Sequence, residues 1–201
     1  MTPESTGISR AVFKYRSYAP IPFLVVMVLF AAPTLTSMIC GFILIVIGES
    51  IRFWGVSIAG SETRTTGRVG GTYLITNGPF AYVRNPLYVG NILLYLGVGV
   101  MSMALFPWLL IVALVWFLVQ YHVIVKQEEK YLAATFGAEY VEYCTNVGRF
   151  LPRLIPYKSS LPPSKQSTFA EGLASERRTL QAIGIVVVVL VVIFVAGWKL
   201  F

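Results

Sequence analysis

The chain contains no aspartate, a single histidine (His122) and two cysteines, and charged residues fill only 12% of its 201 positions. Each shortage excludes something. One histidine and no cysteine pair leave no metal-ligand spacing, so no metal site is expected. Cys40 lies in an apolar run and Cys144 in a polar one, which argues against a disulfide framework. A soluble domain carries about 25% charged residues. With 56% hydrophobic residues and a mean hydropathy of +0.72, this chain reads instead as one compact, all-α integral membrane protein. The formal net charge is +7, but the basic residues flank apolar runs. The expected partner is a lipid bilayer, not a nucleic acid. Gly67-Arg68-Val69-Gly70-Gly71 is no nucleotide loop, because it lacks the GxGxxG order and a strand–helix context.

Apolar runs predict about five transmembrane helices, at residues 19–35, 36–59, 86–105, 106–125 and 180–201. They divide the chain into an N-terminal arm and helical hairpin (1–59), a core of polar loop, two spans and post-span helices (60–157), and a linker with a C-terminal helix (158–201). Gly41, Gly48 and Gly55 recur at intervals of seven and predict a close-packing seam on the second span. Glu49, three residues before Arg52, either pairs with it along the helix or faces a cavity. No cleavable leader is expected, since the first 18 residues are polar and basic and the apolar run after them leads into another. Arg10, Lys14, Arg16, Arg52, Arg64, Arg68, Arg84 and the eight basic residues from Lys126 to Arg178 fall on one side of the predicted membrane. The opposite turns, near 33–36 and 101–107, carry none, and Lys199 lies across. The positive-inside rule then predicts an N-terminus in and a C-terminus out.

The most informative stretch is Gly78-Pro79-Phe80-Ala81-Tyr82-Val83-Arg84-Asn85-Pro86-Leu87-Tyr88, which opens the third span. Its counterpart, Gln127-Glu128-Glu129-Lys130, follows the fourth. Each arm between them has about 20 residues, or roughly 30 Å of helix. If the arms pair about a turn near Phe106-Pro107, Arg84 faces Glu128, Tyr88 faces Ile124 and Asn91 faces Tyr121. Tyr88, Asn91 and Tyr95 share one helix face. An arginine and two glutamates therefore meet at one membrane surface, at the mouth of a helical hairpin. Two readings follow from the residues alone: a lined site, or a topological lock of snorkelling side chains. Tyr131, Phe136, Tyr140 and Tyr143 read as packing and interface anchors. Arg149 and Arg153 read as surface or headgroup contacts, with binding of the acceptor as the alternative.

The series Leu74-x3-Gly78-x5-Arg84-Asn85-Pro86-x-Tyr88-x-Gly90, followed by Glu128-Glu129-x2-Leu132-x3-Phe136-Gly137-x2-Tyr140-x2-Tyr143, resembles the isoprenylcysteine carboxyl methyltransferase family and its phospholipid N-methyltransferase relatives. The resemblance covers about residues 60–155. It implies a membrane-embedded enzyme with a cofactor pocket on the cytoplasmic face, binding S-adenosyl-L-methionine and releasing S-adenosylhomocysteine. It further implies that Arg84, Glu128 and Glu129 are catalytic, and that Tyr82, Arg84, Asn85, Pro86, Tyr88, Asn91, Glu128 and Glu129 form the cofactor site. The carboxylates would accept from ribose hydroxyls, and Arg84 would clamp a carboxylate.

The family pattern has histidine where this chain has Asn85, which cannot be a general base. A carboxylate acceptor needs no base. An ammonium acceptor must first lose a proton, for which a glutamate or His122 is available. The implied reaction is carboxyl methylation of a lipidic or amphiphilic acceptor. The alternatives are N-methylation of an aminophospholipid, then a nicotinamide-dependent membrane reductase, then a non-catalytic scaffold.

Overall fold

The computed structural model describes residues 15–16, 18–60, 73–159 and 169–197. The expectations for the N-terminal arm before Tyr15, the loop 61–72, the linker 160–168 and Lys199 lie outside the described residues. Those described form five α-helices, with no strand among them. They are α1 (Pro20–Leu29), α2 (Leu35–Ala59), α3 (Pro86–Ser102), α4 (Trp108–Asn146) and α5 (Phe169–Ala196), with a 3-10 turn at Gly78–Ala81 before α3. Three of them, α2, α4 and α5, are long and apolar enough to cross a membrane, and α1 and α3 are shorter apolar helices.

The first helix is shorter than the apolar run suggests. Pro20 suits its first turn, but Pro33 stands beyond its end and cannot continue the hydrogen-bond ladder. Ten residues give about 15 Å. The non-helical residues 31–34 add up to about 13 Å. The segment therefore reaches from Arg16, whose carbonyl accepts from Gln120 Nε2 at 3.3 Å, to Ala32, whose N–H donates to Ser102 O at 2.8 Å. Thr34 and Ser37 then start α2 with a reciprocal capping box, Ser37 N to Thr34 Oγ1 at 3.1 Å and Thr34 N to Ser37 Oγ at 2.9 Å.

The glycine seam of α2 meets a second seam on antiparallel α3. Gly41 lies against Gly97 and Gly48 against Gly90. A Cβ at Gly48 would come within 2.8 Å of Gly90 O, and one at Gly97 within 2.7 Å of Gly41 O. Absent side chains on both faces let the two backbones touch. The main core lies beside this pair, where Met27 of α1, Leu94, Val98 and Met101 of α3, Phe117 and Ile124 of α4, and Leu190 of α5 are buried together. Exposed apolar side chains (Ile39, Phe42, Ile43, Val46 and Ile47 on α2; Val112, Val115, Trp116 and Val119 on α4; Val188, Val192 and Val195 on α5) form the outward face that a bilayer would cover.

The last helix begins at Phe169, well before the predicted start of its span at 180. The apolar run hid this, because the first turns of α5 are polar and dock on α2. Glu176, 1% exposed, accepts from Arg52 Nη2 at 2.6 Å, and Thr179 Oγ1 lies 3.2 Å from the same nitrogen. Arg52 Nη1 donates to Asn91 Oδ1 on α3. The expected Glu49–Arg52 pair is present at 3.6 Å, yet both Glu49 oxygens are buried without a hydrogen-bond partner. The guanidinium is spent across helices rather than along its own.

Candidate active site

Helix α4 runs for 39 residues with a kink at Gly137, and the part before the kink alone makes about 43 Å, well over the roughly 30 Å hydrocarbon core of a bilayer. Its C-terminal part therefore projects beyond the end of α3. At Gly137 the backbone turns to φ +54° and ψ −125°, kinking the helix. The part beyond the kink folds back over the 3-10 turn. Tyr143 Oη donates to Phe80 O at 2.7 Å, and Tyr140, Tyr143, Val147 and Leu74 form a second small core. An extended strap, 147–157, then returns along the same turn. Arg84 N donates to Gly148 O, Arg153 N to Tyr82 O and Tyr157 N to Ala81 O, each at 2.9 Å. Asn85 Nδ2 donates to Arg149 O at 3.0 Å.

These contacts bring three charged side chains together. Arg84 Nη1 lies 3.1 Å from Glu129 Oε1 and 2.6 Å from Cys144 Sγ. Arg149 approaches Glu129 from the strap with a two-pronged fork, Nε to Oε1 at 3.0 Å and Nη2 to Oε2. Its hydrogen bonds to Glu129 push the Arg149 pKa above its ordinary value, so the guanidinium stays charged at any physiological pH. Two guanidinium groups on one carboxylate leave a net positive charge. Arg84 Nε is buried and has no hydrogen-bond partner, an unspent donor in this cluster. His122 Nδ1 stands 3.4 Å from Arg149 Nη1 at the outer edge.

Beside the cluster, the bend of α4 encloses an open groove of about 410 Å³, within the ordinary range of small-molecule clefts, about 300–1,000 Å³. Lys126, Glu129, Lys130 and Ala133 line it from before the kink, and Tyr140, Val141, Cys144 and Thr145 from after it.

The hairpin pairing is present, with the two glutamates divided between partners. Arg84 takes Glu129 rather than the expected Glu128. Glu128 accepts from Tyr88 Oη at 2.8 Å, one turn further into α3. Adjacent helical positions differ by about 100°, so neighbouring carboxylates face different sides. Tyr88 also packs on Tyr121, ring centroids 4.8 Å apart, and Tyr95 stacks on Phe117 at 4.2 Å. Of the predicted site residues only Glu129 lines the groove, and Arg84 joins it through Glu129 and Cys144. Tyr82 turns its ring to Trp54 of α2 at 5.9 Å. Pro86 is buried in the first turn of α3. Asn85 is occupied in holding the strap, and Asn91 is held by Arg52.

Cys144 joins the site without having been singled out for it, as do Arg149 and Tyr140, which were expected mainly as a surface contact and a packing residue. The signal that pointed there was the helix breaker at Gly137 followed by Val147-Gly148, which turns the chain back toward Arg84.

A family model for phospholipid methyltransferases matches residues 36–139. The cobalt-zinc-cadmium resistance protein CzcN of Cupriavidus metallidurans is 34% identical over 107 residues, 53% of this chain and 45% of that protein. The nickel-cobalt-cadmium resistance protein NccN of Alcaligenes xylosoxydans xylosoxydans is 31% identical over 109 residues, 54% of this chain and 47% of that protein. The match thus spans a little under half the length of these curated relatives. The matched family segment ends at Glu139, before the strap and α5.

Proposed function

We propose, because this chain belongs to the phospholipid methyltransferase family, that it is an integral membrane enzyme transferring a methyl group from S-adenosyl-L-methionine to a lipidic or amphiphilic acceptor. Beyond family membership, the observation that carries this reading is the Arg84–Glu129–Arg149 cluster beside the α4 groove. The residues fit the donor. The unspent Arg84 Nε and the net positive cluster suit its amino-acid carboxylate. Each carboxylate oxygen can accept more than one hydrogen bond, so Glu129 can still accept from a ribose hydroxyl. Tyr140 offers an aromatic wall. Bound there, S-adenosyl-L-methionine would supply an electrophilic methyl carbon, on a sulfonium, for an acceptor oxygen or nitrogen.

The remaining work is positioning and electrostatics. Arg84 and Arg149 hold Glu129 from two sides and fix its direction. The strap fixes Arg84 in turn through the Arg84 N to Gly148 O bond. Tyr88 holds Glu128. Lys126 and Lys130 at the groove favour an anionic acceptor or headgroup.

Carboxyl methylation is the finer reading. Asn85 donates to a backbone carbonyl and removes no proton, and an ionised carboxylate needs none removed. N-methylation of an aminophospholipid is the second reading, favoured by the description of the matching family. His122 at the cluster's edge would then take the proton.

The deciding experiment is calorimetric titration of the detergent-purified protein with S-adenosylhomocysteine, beside Arg84→Ala and Glu129→Ala. The expected result is micromolar binding by the wild type, lost in variants that remain helical. A folded wild type that does not bind would overturn the reading and turn attention to nicotinamide cofactors. With binding established, radiolabelled methyl transfer to lipidated carboxylic acids or to phosphatidylethanolamine vesicles separates the two acceptor classes.

A further inference from the structure

The strap carries three side chains that the site does not use. Leu151, Leu154 and Ile155 are 83%, 98% and 72% exposed, although none lies on a spanning helix. They sit in Leu151-Pro152-Arg153-Leu154-Ile155-Pro156. The strap that presents them is pinned. Gly148, Arg153 and Tyr157 are bonded to residues 81–84, Arg153 Nη1 donates to Asn146 O at 2.9 Å, and Tyr157 Oη donates to Glu142 at 3.0 Å. Large apolar groups are thus held outward on a fixed backbone.

The depth of that backbone follows from its neighbours. Residues 81–84 are separated only by Asn85 from Pro86, the first residue of α3. Tyr82 packs on Trp54 of α2. The exposed apolar side chains of α2 run from Leu35 to Trp54, about 28 Å along the axis. That is close to the roughly 30 Å of the hydrocarbon core, which puts Trp54 at the boundary between acyl chains and headgroups. Trp54, Tyr82, Arg153 and Lys158 gathered there have the composition of a membrane interface.

We propose that the strap is an interfacial anchor: Leu151, Leu154 and Ile155 enter the boundary between headgroups and acyl chains, with Arg153 and Lys158 against anionic headgroups. The occupant of this surface is the bilayer itself. Three side chains make far too small a patch for a stable interface between copies, which needs about 800 Å² on each partner. Basic residues beside apolar ones also match an anionic lipid surface. The same strap delivers Arg149 to Glu129, so the seating of the protein in the interface and the geometry of the cluster share one piece of backbone. The inference rests on membrane embedding and not on methyl transfer.

The test places an NBD fluorophore at Leu154→Cys in the full chain carrying Cys40→Ser and Cys144→Ser, reconstituted in phosphatidylcholine–phosphatidylglycerol vesicles. Glu139→Cys, exposed on the projecting part of α4, is the aqueous reference, and Val112→Cys the hydrocarbon one. Circular dichroism confirms that each labelled protein is folded. Lipids brominated on the acyl chain near the headgroup should quench the probe at 154 at least about twofold more than the probe at 139, with blue-shifted emission. Lys158→Glu, which leaves the Arg153 bond that pins the strap intact, should reduce that quenching in anionic vesicles and leave it unchanged in neutral ones. A probe at 154 that behaves like the one at 139 overturns the proposal. So does a shielded probe that bromine does not reach and that becomes exposed on dilution with lipid, which would assign the surface to a second copy.

Discussion

Glu129 is held by two arginines that arrive from opposite directions, one just before α3 and one on the strap. A planar guanidinium can grip a carboxylate with two parallel bonds, and an ammonium cannot. Arg149→Lys therefore keeps the charge and loses the fork. The expected outcome is S-adenosylhomocysteine affinity weakened about tenfold, equivalent to about 1.4 kcal/mol, with unchanged helicity, read by calorimetry and circular dichroism. Undiminished affinity would show that Arg149 serves only the strap. At this scale the sequence was partly legible. Helical periodicity and a hairpin turn brought Arg84, Tyr88, Glu128 and Glu129 into one neighbourhood. Which glutamate met which partner depended on the rotation of α4 about its own axis, and no pattern of residue types encodes that rotation to within one position.

The tightest element pair, α2 on α3, has no side chains at its closest points. Gly48 and Gly90 face one another there. Gly48→Val would drive two methyl groups into the backbone of α3, and overpacking of this kind costs about 1–3 kcal/mol or more. Gly184→Val on α5, with nothing within 4 Å of the added Cβ, should change stability by less than about 0.5 kcal/mol. Thermal unfolding in detergent compares the two, and equal midpoints would contradict the seam.

The α2–α5 contact is of another kind. Glu176 is almost fully buried against Arg52. Removing one partner of such a pair strands the other charge, at a cost of about 3–5 kcal/mol. Glu176→Ala should lower the unfolding midpoint far more than Gln181→Ala at an exposed position of the same helix. Similar midpoints would mean that α5 is held by its apolar residues alone. The seam on α2 was legible because a seven-residue glycine spacing is a local signal. The Arg52–Glu176 pair, 124 positions apart, left no local signal, and hydropathy placed the start of α5 too late because its docking turns are polar.

At the scale of the molecule, both ends of the charge pattern follow from topology. The N-terminal end of α1, the C-terminal end of α2, the start of α3, the projecting half of α4 and the start of α5 gather at one end of the bundle, with Arg16, Arg52, Arg84, Arg149 and Arg177 among them. The positive-inside rule predicts that this end is cytoplasmic. A fluorescent-protein fusion before Met1 should therefore be bright, and alkaline phosphatase fused after Phe201 should be active. The opposite pair of results would reverse the orientation and place the groove outside. The same end carries the groove, the Arg84–Glu129–Arg149 cluster and the strap, so a water-soluble cofactor and a bilayer-borne acceptor can both reach it.

The sequence alone determined that this is a helical membrane protein, how many apolar segments it has, and which polar stretches flank them. Those properties come from composition and short-range periodicity, which each segment carries within itself. Tertiary structure alone decided three things: that the first apolar segment forms a ten-residue helix with an extended tail, that α5 locks onto α2 through Arg52 and Glu176, and that a strap beyond the Gly137 kink returns to place Arg149 on Glu129. Each depends on where a chain arrives after a turn or kink. A small change in backbone direction there moves a side chain by many ångströms, and only the packing of the other helices fixes that direction.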